Sequence, residues 1–211
     1  MNRAFLMNRL SELIQFELPG EESHLPLSPL GRQKSSEALK KAENHKLSAV
    51  GIILFEQEQQ YHFILTQRQT YSGTHSGQIA FPGGKFELAD QHTLQTAIRE
   101  SREEINIELT EQMHLGKLTN VYIPVSNFLI EPHVFYSPHS FELIPEQREV
   151  ESIFDVDIVD LLNEENRVFR TISFGNNQTK EVPGFLLKNK FVWGATALIL
   201  NELKTLLAKI A

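Results

Sequence analysis

The chain has 211 residues, 41% of them apolar, and a net charge of −7. That size and apolar content fit one folded domain with at most a small appendage and exclude wholesale disorder. Cysteine is absent, which excludes disulfides, thiolate metal sites and thiol catalysis, and an acidic balance without a basic run argues against wrapping nucleic acid.

In chain order, Leu6, Leu10, Leu13 and Ile14 recur at helical spacing, so residues 3–17 read as an amphipathic helix. Its stripe either covers the core or forms a subunit contact, and the second option keeps a homodimer open. Asn8 and Arg9 interrupt any signal-peptide core behind Phe5 and Leu6. No apolar run approaches the roughly 18 residues of a membrane span. A cytoplasmic protein without a membrane partner is expected. Residues 19–46, with Pro19, Gly20, Pro26, Pro29 and Gly31, read as a wrapping segment with a short helix near Ser35–Glu43. This gives an N-terminal segment, 1–46, and a main domain, 47–211.

Within the main domain, Ala49–Phe55 and Tyr61–Thr66 read as an antiparallel pair, and Gln78–Phe81 as a short strand before a Pro82-Gly83-Gly84 turn. A helix covers 92–105. Strands follow at Leu115–Val121, Phe128–Tyr136 and Val150–Asp155, then a short helix at Val156–Asn163. Val168–Phe174, Glu181–Leu187 and Phe191–Trp193 add strands, Trp193 being a core residue, and Ala195–Ile210 is a closing helix. The interleaving predicts an α+β fold, an α/β/α sandwich around a mixed sheet.

The helix at 92–105 carries the chemistry. Leu94, Ala97, Ile98 and Ile105 form an apolar face, and Glu100, Glu103 and Glu104 share a second face about 110–130° away. On composition alone this is a solvated charged face. The functional alternative is a hard-cation site, because Mg²⁺ takes carboxylate oxygens and keeps waters for phosphate contacts. The preceding glycine turn favours that alternative, since the Gly84 carbonyl is a further ligand candidate beside the three glutamates.

Gly84, Arg99, Glu100, Glu103 and Glu104 together resemble the signature of the Nudix hydrolases. Asp90 stands at that signature's first Glu position, with eight residues rather than seven before Arg99. Ser101 replaces an apolar residue, and Asn106 replaces the final Gly, a mild change at a left-handed helix end. Upstream, Leu65-Thr66-Gln67-Arg68, His75-Ser76-Gly77-Gln78 and Phe81-Pro82-Gly83-Gly84 resemble the coenzyme A diphosphatase branch. Here Gln69 replaces a small residue and Gly73 replaces an Arg. The stretch from Pro145 to Val150, the Val182–Phe185 segment and the Trp193–Ala197 segment extend the likeness, so it covers about residues 47–200.

The resemblance implies a Nudix fold and hydrolysis of a nucleoside diphosphate-linked substrate. One to three Mg²⁺ or Mn²⁺ ions would be held by Glu100, Glu103, Glu104 and the Gly84 carbonyl. Arg99 orients a glutamate of the cluster. The base is either a box glutamate or a later acid, with Glu146, Glu149 and Glu151 as candidates and Glu149 the representative choice. Arg68, His75 and Gly83 are substrate-binding candidates, each weighed against a structural role. Coenzyme A, cleaved to 4′-phosphopantetheine and adenosine 3′,5′-bisphosphate, is the leading substrate. Gly73 keeps ADP-ribose, a dinucleotide cofactor or a nucleoside triphosphate as alternatives, and a non-catalytic nucleotide-binding domain as a remoter one.

Overall fold

The computed structural model describes residues 3–70, 76–139, 141–173 and 179–210. The N-terminal part holds α1 (Arg3–Phe16), a 3₁₀ segment over Gly20–Leu27 and α2 (Ser35–Leu39). The main sheet is built from β1 (Lys46–Gln57), β2 (Gln60–Arg68), β3 (Ile79–Ala80), β4 (Gly83–Lys85), β5 (His114–Lys117), β6 (Val121–Ile123), β7 (Phe128–Ser137) and β8 (Val150–Asp157). Between β4 and β5 lies α3 (Thr93–Ile105), and after β8 comes α4 (Ile158–Leu162). A second, three-stranded sheet contains β9 (Arg167–Ser173), β10 (Thr179–Leu187) and β11 (Lys190–Trp193), and α5 (Gly194–Leu207) follows. The fold is α+β, with a mixed sheet between helical layers.

The apolar run of β1 is nearly continuous because both faces of the strand are covered. Ala49 and Ile53 face one core with Ala97 and Ile105 of α3, while Ile52 and Leu54 face the other with α1 and α5. Glu58 and Gln59 both have positive φ, the geometry that lets a two-residue hairpin follow the strand twist into β2. Beyond Leu54 and Phe63 the two strands part. The chain from Ile79 to Lys85 bridges the split: β3 pairs with Thr66 and Gln67 of β2, and β4 pairs with Ser48–Val50 of β1. On its other edge β1 runs parallel to β7.

α3 lies close over this split. A Cβ on Gly51 would sit 2.9 Å from Ser101 Oγ, which itself bonds the Ala97 carbonyl at 2.7 Å. That approach accounts for a small side chain at 101 where the resembled signature has an apolar one. Asn106 ends the helix at φ 60°, ψ 35°, the left-handed conformation expected from its place in the motif.

Several expectations need correction. The strand read over Leu115–Val121 is two, β5 and β6, each pairing separately with β7. The helix read from Val156 begins at Ile158, because Val156 and Asp157 still pair with β2 and the Asp157 carboxylate caps the Val159 N–H at 2.8 Å. The apolar stripe of α1 is covered by the chain itself: Leu6, Leu10, Leu13 and Ile14 are buried in the core with α5 and β6. The stripe therefore gives no argument for a dimer.

A buried carboxylate fastens the N-terminal segment. Glu202 of α5 is fully buried. It accepts hydrogen bonds from the Gly20 N–H at 3.1 Å and from the Thr119 hydroxyl and N–H at 2.6 and 3.0 Å, with His24 Nε2 at 3.2 Å. Every acceptor direction of a buried carboxylate needs such a partner, and here two separate chain segments, the 3₁₀ segment and the chain at Thr119, supply them.

Candidate active site

The β1–β2 split places Gly83 and Gly84 of β4, where a turn was expected, against the acidic face of α3. A Cβ on Gly83 would lie 2.3 Å from the Ala49 carbonyl oxygen, and one on Gly84 would lie 2.2 Å from Glu100 Oε1. Only glycine lets the β4 backbone come this near β1 and the glutamates. The Gly83 N–H donates to Glu104 Oε2 at 3.0 Å, and Arg68, at the end of β2, reaches the other oxygen of Glu104 at 3.8 Å.

Arg99 is the hub. Its Nε and Nη2 donate to both oxygens of Asp90 at 3.0 Å, a bidentate pair. Its Nη1 donates to Glu100 at 2.8 Å and to Glu103 at 3.0 Å, and Nη2 also meets the Lys85 carbonyl at 3.1 Å. Asp90 is buried and additionally accepts from the Glu87 N–H and the Thr96 hydroxyl. The Arg99 hydrogen bonds lead in holding it at a pKa of about 2, below the ordinary carboxylate range. Asp90 thus anchors Arg99, a role that its place in the motif did not assign. The shifted spacing hid it, while the Arg at the box was the signal that could have found it.

The three glutamates differ in surroundings. Glu104 is only 4% exposed, and burial drives its pKa up to about 8, against the pull of the Gly83 N–H and Arg68. Glu100 and Glu149 push it further in the same direction. Glu100 is also raised by burial, with Arg99 opposing. Glu103 is turned outward, its side chain 58% exposed beside Arg99. The solvated charged face therefore holds for Glu103 alone of the three. The loop over 141–149 runs past the end of α3. That loop is tied down by bonds from the Glu146 N–H to the Glu104 carbonyl and from the Ile144 N–H to the Ile105 carbonyl.

Among the loop acids, Glu149 bears electrostatically on both Glu100 and Glu104. Glu146 instead caps the Arg148 N–H, and Glu151 accepts from Gln67 Nε2. The structure therefore brings together Arg68, Gly83, Gly84, Arg99, Glu100, Glu104 and Glu149, with Glu103 at the rim. His75 and Gly73 lie outside the described residues. Trp193 is half-buried at the entry to α5.

The donor set is three carboxylates and a backbone carbonyl, hard oxygen ligands of the kind Mg²⁺ and Mn²⁺ take. A buried carboxylate that keeps its proton to about pH 8 for want of positive charge fits a cation partner. Among the described residues, no three carboxylates or imidazoles already converge on one point. Glu103 would have to leave Arg99 to join the others.

A NUDIX domain family model matches residues 45–172. The chain belongs to the Nudix family. It is 33% identical over 138 residues to the mitochondrial coenzyme A diphosphatase NUDT8 of Homo sapiens, covering 65% of this chain and 58% of that protein. It is 31% identical over 140 residues to the uncharacterized Nudix hydrolase NudL of Photorhabdus laumondii, covering 66% of this chain and 74% of that one. This Nudix chain thus spans less than two thirds of the human relative. A MutT/nudix family protein from Enterococcus faecalis has the same fold, with a TM-score of 0.55 at 15% identity over 86% of this chain and 71% of its own. No helix among the described residues is long and apolar enough to cross a membrane.

Proposed function

We propose that this Nudix chain is a cation-dependent diphosphatase whose leading substrate is coenzyme A or a derivative. The observation that carries the reading is the buried Glu104, set between Gly83, Arg68, Glu100 and Glu149 with too little positive charge to hold it ionised. Glu100, Glu103, Glu104 and the Gly84 carbonyl would hold Mg²⁺ or Mn²⁺, which when bound supplies neutralisation of the diphosphate oxygens. Asp90 holds Arg99, and Arg99 holds Glu100, so the place of Glu100 is set before a cation arrives, while Glu103 has to turn away from Arg99 to join it. Glu149 accepts the proton of the attacking water as water adds to one phosphorus and the P–O–P bond breaks. Arg68 and the Gly83 backbone lie beside Glu104, where they can meet a phosphate oxygen.

The choice of coenzyme A rests on the motif around Arg68 and Phe81–Gly84 and on the likeness to the human coenzyme A diphosphatase. The departures at Gln69 and Gly73 favour keeping ADP-ribose, a dinucleotide cofactor or a nucleoside triphosphate as the second reading. Retention of all three box glutamates speaks against a merely binding domain. A cytoplasmic location belongs to the same proposal and rests on the sequence alone.

The test is product analysis with Mg²⁺ or Mn²⁺ on coenzyme A, ADP-ribose, a dinucleotide cofactor and a nucleoside triphosphate. Release of 4′-phosphopantetheine and adenosine 3′,5′-bisphosphate at the highest kcat/KM of the panel is the expected result. A higher kcat/KM on ADP-ribose selects the second reading, and no turnover of any member removes both.

A further inference from the structure

Gln69 stands where the resembled branch carries a small residue, and its side chain has a definite task in the fold. β2 bulges just before it: Gln67 pairs with Ser152 and Arg68 with Val150, so Glu151 is skipped. Past the bulge, the Gln69 N–H donates to the Glu149 carbonyl at 2.9 Å, and the Gln69 carbonyl accepts from the Gly77 N–H at 3.3 Å. The side-chain Nε2 then donates to the Gln147 carbonyl at 2.8 Å and approaches the Val150 carbonyl at 3.5 Å. Carbonyls on both sides of Glu149 are therefore gathered by one amide.

The same turn is held from the opposite side by α3. The Glu146 N–H donates to the Glu104 carbonyl at 2.9 Å, and the Glu149 and Val150 N–H groups close back on the Glu146 carbonyl at 3.1 and 2.8 Å. The segment from Glu146 to Val150 is thus clamped between a backbone group of Glu104 and the side chain of Gln69. A small residue at 69 keeps the backbone bond to Glu149 but loses the anchor on Gln147. Two positions earlier on β2, Gln67 makes comparable bonds elsewhere, to Glu151 at 3.0 Å and from Lys190 at 2.7 Å. It does not touch the Gln147 carbonyl, so it serves as a matched control.

We infer that Gln69 is a positioning residue: its side-chain amide fixes the 146–150 turn and so sets Glu149 against the glutamates of α3. The inference rests on the proposed reading of Glu149 as the base. A bond of this kind, once lost, loosens a surface turn without unfolding the domain, because such segments open independently of the core.

The experiment uses the full chain and its variants Gln69→Ala, Gln69→Ser, Gln67→Ala, Glu149→Gln and the double variant of Gln69→Ala with Glu149→Gln. Turnover is measured on coenzyme A and on ADP-ribose, and the faster substrate is carried through. Hydrogen exchange of the 146–150 amides is measured without substrate. Gln69→Ala and Gln69→Ser should quicken that exchange roughly 5- to 10-fold and lower kcat about 10-fold, with KM within about 2-fold. Gln67→Ala should do neither. Added to Glu149→Gln, the Gln69→Ala change should alter kcat by less than about 2-fold, because two residues acting through one group are not additive. If Glu149→Gln is inactive while folded Gln69→Ala or Gln69→Ser keeps wild-type kcat, the positioning role alone is overturned. Equal kcat losses from Gln69→Ala in both backgrounds, or unchanged exchange of the turn, overturn it as well. Wild-type kcat in Glu149→Gln overturns the base reading first, and the inference with it.

Discussion

Glu104→Gln removes a charge that the fold itself disfavours. With burial raising the pKa from 4.5 to about 8, the ionised form costs the metal-free protein on the order of 5 kcal/mol at most. Below about pH 4.5 the carboxyl is protonated both folded and unfolded, and the cost is absent. Between 4.5 and 8 the unfolded chain releases the proton while the folded one keeps it, so stability falls as pH rises. Above about 8 both are ionised and the full cost stands. Gln keeps the shape and can still accept from the Gly83 N–H. In urea titrations with a chelator, Glu104→Gln should match the wild type near pH 4 and exceed it by about 2–4 kcal/mol at pH 9. Millimolar Mn²⁺ should stabilise the wild type at pH 9 and the variant far less, since a bound cation stabilises only the state that holds it. Turnover of the variant should fall by orders of magnitude. A variant no more stable than wild type at pH 9 without metal would refute the reasoning, because Glu104 would then be solvated or already compensated.

Asp90→Asn should cost about 2 kcal/mol near neutral pH and reduce turnover at least about 10-fold, as Arg99 loses its bidentate anchor. Because the Asp90 pKa is depressed to about 2, the wild-type advantage should vanish as pH falls from about 4 to 2, and an advantage persisting below pH 2 would contradict the pairing. Gly84→Ala should fold but bind Mn²⁺ at least about 10-fold more weakly, since the new methyl displaces the Glu100 carboxylate; calorimetry without substrate reads this directly. Leu13→Ala should lower unfolding stability by about 2–5 kcal/mol, and a loss under 1 kcal/mol would show that α1 does not share the core.

The parts legible in the sequence were those set by local periodicity. The apolar spacing and acid cluster marked α3 to within a residue or two, whereas the turn expected at Pro82-Gly83-Gly84 is in fact the start of strand β4, because Gly83 and Gly84 pair with Val50 and Ala49 of β1. Asn106 marked the helix end. What stayed hidden depended on contacts distant in sequence. The buried Glu104 carboxylate meets Gly83 and Arg68, and its carbonyl meets Glu146, all far from it in sequence. Separate pairing with β7 divides Leu115–Val121. The different surroundings of Glu146, Glu149 and Glu151 follow a chain whose pairing to β2 shifts at Gln67 and Arg68, which no spacing reveals. Desolvation leads in raising the Glu104 pKa and depends on the finished fold, whereas the smaller repulsion from Glu100 needs only a neighbour in sequence.

Glu202 also decides how small a working fragment can be. It lies in α5, beyond the 45–172 stretch that the family model matches, and its partners Gly20 and His24 lie before that stretch. Cutting the chain to the matched stretch would remove both α1 and α5 and uncover the whole sheet face that holds Ile52, Leu54, Phe63 and Leu65. Cutting away only the first 34 residues would leave Glu202 inside with the Thr119 bonds alone, a half-solvated carboxylate at the centre of an opened core. The acidic helix on the opposite face would keep its residues yet lose the rigid floor beneath it. Fragments designed on motif boundaries should therefore aggregate rather than turn over slowly.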